Sequence, residues 1–112
     1  IVTADEIQDP LDLPVRLSVG DQPRQDYNTN GMANKIPQLL EWITWITTLE
    51  AGDVVACGTN HLGLGPLQDG DTVNMEIGSF GNLTVKVVDP QKRQWPRETR
   101  AQKEARDSNS KT

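Results

Sequence analysis

Gly52-Asp53-Val54-Val55-Ala56-Cys57-Gly58-Thr59-Asn60 is the stretch on which the fold of this chain turns. The apolar run Val54 to Cys57 predicts a buried strand in a packed sheet, and Gly58 and Thr59 end it abruptly. A glycine at that point lets a ligand approach the backbone closely, and Thr59 adds one donor and two acceptor lone pairs. Many sheets finish in Gly-Thr as ordinary turn chemistry, so this stretch alone predicts a strand end that delivers polar groups, and nothing finer.

Upstream of it, Pro37 at a first-turn position, Asn34 as a cap, and Ile36, Leu39, Leu40, Ile43 and Ile46 at helical spacing predict a helix over 36–47. Trp42 and Trp45 flank its apolar stripe and are expected to cover core or an interface rather than stack on a ligand. Earlier still, Val15, Leu17 and Val19 alternate with Arg16 and Ser18, Gly20-Asp21-Gln22-Pro23 turns the chain, and residues 24–29 return as the second arm of a hairpin. Ile1-Val2-Thr3 has the composition of a strand interior. A first residue other than Met points to a cleaved leader or a larger missing N-terminal portion.

Downstream, Gly63, Gly65 and Gly70 make 60–70 a loop. Val73, Met75 and Ile77, the turn Gly78-Ser79-Phe80-Gly81, and Leu83, Val85 and Val87 then predict a second hairpin. The stretch 91–112 is polar and is expected to be disordered after about Arg97. The chain therefore divides into a body over 1–90 and a basic tail over 91–112.

A length of 112 residues suits one domain, while 35% hydrophobic residues and a mean hydropathy of −0.58 are low for a self-sufficient core. No apolar run approaches the ~18 residues that span a bilayer, so no membrane partner is expected. The net charge of −5 hides an asymmetry: 1–90 carries four basic and thirteen acidic side chains, and 91–112 seven basic and three acidic. An acidic body argues against nucleic acid, because phosphate contacts need clustered Lys and Arg. A single cysteine, Cys57, excludes an internal disulfide, suits a reducing compartment such as the cytoplasm, and reads as a buried packing residue.

His61 is the only histidine, so neither a histidine-based triad nor a multi-histidine metal site can be built within the chain. It is a candidate general base beside Gly58-Thr59-Asn60, although a lone loop histidine is more often merely hydrogen-bonded or solvated. Gly63-Leu64-Gly65-Pro66 lacks the Gly-Lys-Ser/Thr of a phosphate-binding loop. Asp5 and Glu6, on opposite faces of an extended segment, are poor co-ligands for one metal. Asn82-Leu83-Thr84 has the form of a glycosylation acceptor but reads as an ordinary strand start.

Taken in order, Val2-Thr3-Ala4-Asp5-Glu6-Ile7, Gln25-Asp26-Tyr27-Asn28-Thr29 with Met32, Ile36-Pro37-Gln38-Leu39-Leu40, Gly52 to Thr59, and Leu67-Gln68-Asp69-Gly70-Asp71 resemble the C-terminal half of the fumarylacetoacetate hydrolase family. The resemblance covers residues 1 to about 90. It implies a β-rich α+β fold, a mixed β-roll with one main helix, incomplete in this chain. It also implies an enzyme acting on a small dicarbonyl or keto acid by C–C hydrolysis, isomerisation, hydration or decarboxylation.

A divalent cation, usually Mg²⁺, would stabilise enolate charge as a Lewis acid, with its carboxylate ligands and a catalytic lysine or histidine upstream of this segment. What carries over is substrate contact by Gly58 and Thr59, through backbone N–H and hydroxyl. The missing N-terminal half or a second copy is the implied partner, and the chain alone is expected to be inactive. The family usually continues Gly-Thr with Pro and a short loop of small residues, where this chain has Asn60-His61-Leu62-Gly63-Leu64-Gly65. Residues flanking Met32 also differ, so the role of that loop does not carry over. The alternative is a non-catalytic binding domain of the same fold, using sheet edges and Trp42 or Trp45 as contacts.

Overall fold

Period-two alternation builds the sheet. The computed structural model describes residues 1–110 and places four antiparallel strands, β1 (Pro14–Val19), β2 (Gln22–Asn28), β3 (Thr72–Ile77) and β4 (Asn82–Lys86), in the order β2-β1-β3-β4. Register sets Val15 opposite Tyr27 and Ile77, Leu17 opposite Gln25 and Met75, and Val73 opposite Val19 and Val85. Since residues directly opposite share a face, these side chains make one largely apolar face, and Arg16, Asp26, Asn74, Glu76 and Thr84 make a polar one. Both predicted hairpins form, the first around Gly20, which takes φ +55°.

The register shifts between Leu17 and Ser18, leaving Arg24 as the extra residue of a β-bulge. It is buried, at 6% exposure, and its side chain passes beneath the 63–66 loop.

Helix α1 (Ile36–Thr44) is shorter than the predicted 36–47, with a turn over residues 45–47. Its cap is Lys35 rather than Asn34: the Gln38 side chain reaches back to accept from the Lys35 N–H at 2.8 Å, and Pro37 sits in the first turn as expected. The first three residues are coil rather than strand, and Asp5 and Glu6 lie in a 3-10 turn over Ala4–Glu6.

Two expectations are corrected. Val54 to Cys57 is not a buried strand: among the described residues it has no strand partner, Val54 is 91% exposed, and Cys57 is an exposed free thiol. Apolar, β-branched residues favour an extended chain, but only a neighbouring strand and an opposing layer can make it a buried one. The second correction concerns the tail, which forms a helix α2 (Arg100–Asn109) beside the single main helix expected; the tail's last two residues lie outside the described range. Thr99 starts that helix, its hydroxyl accepting from the Gln102 N–H and its own N–H donating to the Gln102 side chain. Composition suggested disorder because a polar segment lacks apolar anchors, whereas here hydrogen bonds and ion pairs tie it down.

The apolar face is covered unevenly. Among the described residues, only Val15 and Val19 are buried hydrophobics, and no side chain is wholly buried. Trp42, Trp45 and Ile46 at the end of α1 stand 62%, 80% and 69% exposed. The Cα radius of gyration is 17.3 Å, against about 13 Å for a compact chain of this length. An apolar sheet face with so little over it has the form of half a sandwich.

Asp89 and Asp71 hold the tail. Arg93 beside Asp89, with the Gln91 N–H, draws that carboxyl down to about 2, and Arg97, with the Gln68 N–H, lowers Asp71. A carboxyl whose pKa is lower folded than unfolded stabilises the fold above its unfolded pKa, and the contribution is lost as pH falls through the folded value. The hold of Asp71 on Arg97 is therefore expected to persist at neutral pH and to be lost as pH falls below the ordinary carboxylate range. Amide exchange at 93–101, followed against β1 and β3, measures this; release confined to neutral or alkaline pH would contradict it.

Candidate functional site

A cleft opens between the end of β2, with the 31–34 loop and Leu39 of α1, on one side and residues 57–61 on the other. Its volume is about 410 Å³, and Tyr27, Met32, Asn34, Gly58, Thr59 and His61 are among the residues that line it. The three sequence-predicted site residues, Gly58, Thr59 and His61, are thus brought to one opening.

Two side chains of β2, two residues apart and so on the same face, fasten the chain there. Gln25 Nε2 donates to the Asn60 carbonyl at 2.7 Å, and the Tyr27 hydroxyl lies 3.3 Å from Thr59 Oγ1, where either can donate. With Tyr27 as donor, the Thr59 proton is free to point at a ligand in the cleft. Gly58 takes φ +78° with open space where a Cβ would stand, so its conformation, rather than crowding, asks for glycine.

Beyond Thr59 the loop folds on itself, Asn60 Oδ1 accepting from the Leu62 N–H at 2.9 Å and the Leu64 N–H donating to the His61 carbonyl at 3.2 Å. His61 is exposed, with its ring at the cleft wall. Gln25 Oε1 is buried without a hydrogen-bond partner.

The residues present do not fit a metal. Among those described, no three His, Cys, Asp or Glu side chains converge on a point that could hold an ion. The cleft offers neutral donors and acceptors, an arrangement that can grip a carbonyl or carboxylate oxygen from one side. Sequence reasoning missed Gln25 and Tyr27 as supports, although their i, i+2 spacing in β2 was a usable signal. It also left out the loop at 31–34, which the fold brings to the cleft.

The chain is similar to known proteins over most of its length. The sequence profile described as fumarylacetoacetate hydrolase C-terminal matches residues 1–88. A maleylpyruvate hydrolase of Aquipseudomonas alcaligenes is 36% identical over 87 residues, covering 78% of this chain and 30% of that protein. A mitochondrial oxaloacetate tautomerase of Homo sapiens is 33% identical over 90 residues, covering 80% of this chain and 40% of the tautomerase. The crystal structure of a maleylpyruvate hydrolase from Sphingobium sp. SYK-6, in complex with manganese(II) ion and pyruvate, superposes with a TM-score of 0.75 at 39% identity, covering 79% of this chain and 33% of the other. The chain thus spans 30–40% of the length of these relatives. Among the described residues, no helix is long and apolar enough to cross a membrane.

Proposed function

Because the chain belongs to the fumarylacetoacetate hydrolase family, we propose that it is the C-terminal part of a cation-dependent enzyme acting on a small keto acid, to which it contributes the oxygen-gripping wall of the site. The observation that carries this is the open cleft lined by Gly58, Thr59 and His61, with Thr59 and Asn60 bonded to side chains of β2.

In this reading the Gly58–Thr59 segment binds a carboxylate or carbonyl oxygen of the substrate, the Thr59 hydroxyl donating while Tyr27 donates to it from behind. His61, which lines the cleft, is the candidate for moving a proton there. The cation, Mg²⁺ or manganese, is held by carboxylates outside this chain, since none converge among the described residues. Cleavage and isomerisation both begin by drawing charge onto a substrate oxygen, so the grip serves either. The lone free cysteine suits the cytoplasm.

The exposed apolar face and the Trp42-Trp45-Ile46 cluster support a partner, either the upstream portion of the domain or a second copy. Produced alone, residues 1–112 are expected to self-associate in sedimentation and to turn over no keto acid; joined to the upstream portion, they are expected to show cation-dependent turnover. Turnover by the chain alone, or a monomer at high concentration, would refute the proposal. The non-catalytic binding module predicts no turnover in the joined protein.

A further inference from the structure

The profile match stops at residue 88, yet the segment beyond it is bound to the loop that carries His61. The Arg100 N–H donates to the Leu64 carbonyl at 2.7 Å and the Ala101 N–H to the Leu62 carbonyl at 3.0 Å. Amides in the first turn of a helix have no partner within it, so the α2 start offers donors and the glycine-rich loop consumes them.

Two anchors lead the segment to that point. Gln68, 5% exposed, donates to the Trp95 carbonyl at 2.9 Å, and Arg97 pairs with the buried Asp71 at 2.8 Å. Thr99, 6% exposed, then caps α2 directly above the loop. Underneath, a Cβ on Gly63 would meet the Arg24 backbone, and one on Gly65 would meet both the Arg24 guanidinium and the Glu98 carbonyl oxygen. The loop is clamped between β2 below and the tail above.

We propose that residues 95–101 are a positioning strap: their main chain sets where the 61–65 loop, and so His61, stands over the cleft, and through it which keto acids fit. Resting on the enzyme reading above for its last step, the strap itself is a matter of hydrogen bonding and is testable without it.

Arg100→Pro deletes the N–H given to Leu64. It does so at the first helical position, where proline is well tolerated, and the preceding Thr99 is already extended at ψ 162°. Arg100→Ala removes the exposed ion pair to Glu104 and keeps the N–H. Hydrogen exchange over 61–65 is expected to rise about tenfold in Arg100→Pro and stay at the wild-type value in Arg100→Ala, with β1 and β3 unchanged in both. Gln68→Leu, which cuts the other anchor without touching α2, is expected to raise exchange in the same loop.

In the joined enzyme, the ratio of kcat/KM for a short and a longer keto acid should change at least fivefold in Arg100→Pro and not in Arg100→Ala. Loop exchange within twofold of wild type in both Arg100→Pro and Gln68→Leu would overturn the strap. A loosened loop with an unchanged ratio would overturn its part in substrate choice. Failure of the enzyme reading would show separately, as a joined protein without turnover whose loop exchange still responds.

Discussion

Thr59→Val in the joined enzyme is expected to lower kcat/KM by about 10- to 150-fold while leaving stability nearly unchanged. Hydrogen bonds to charged groups contribute about 1.5–3 kcal/mol, and about 1.4 kcal/mol is one factor of ten. Valine keeps the shape of threonine and deletes only the hydroxyl. Because Thr59 is exposed at the cleft and its one side-chain partner is the Tyr27 hydroxyl, water can replace the lost contact in the free protein. The folded state therefore loses little, and the loss falls on the bound substrate. Steady-state kinetics beside urea denaturation separate the two effects; unchanged kinetics would remove Thr59 from the site. Tyr27→Phe, which takes away the supporting donor alone, should fall between wild type and Thr59→Val.

Gly63→Ala is expected to cost stability more than any other single methyl added to a glycine of this chain. Its Cβ would collide with the Arg24 carbonyl oxygen and carbonyl carbon, both backbone atoms of β2 that have no rotamer by which to escape. Overpacking usually costs ~1–3 kcal/mol and occasionally more, and a contact with backbone belongs at the upper end, about 3 kcal/mol. The loop must lift from β2, carrying its bonds to Arg100 and Ala101 with it. Gly31→Ala, which meets nothing within 4 Å and needs no positive φ, is the control and should be nearly neutral. Equal urea midpoints for the two variants would contradict the close packing of loop on strand.

The two hairpins were legible because alternation writes the buried face of a strand directly into its residues: Val15, Leu17 and Val19, and Val73, Met75 and Ile77, show it plainly. The α1 helix was legible for the same reason at a different period, with its end overshot by three residues because Ile46 keeps the stripe going after the backbone has left the helix. Gly58, Thr59 and His61 were singled out at and just after the end of an apolar run, and all three line the cleft. Gln25 and Tyr27 were not found: their i, i+2 spacing puts them on one face of β2, but only the fold brings Thr59 and Asn60 against that face.

By itself, the sequence determined the local periods, the turns and the family resemblance, all properties carried by residues a few places apart. Only the tertiary structure decided that Val54 to Cys57 has no strand beside it and that the polar tail is helical and fastened over the His61 loop. Both outcomes depend on partners distant in sequence. An extended apolar run is buried only if another strand is there to pair with it, and a polar segment is ordered only if carbonyls and carboxylates elsewhere accept its donors.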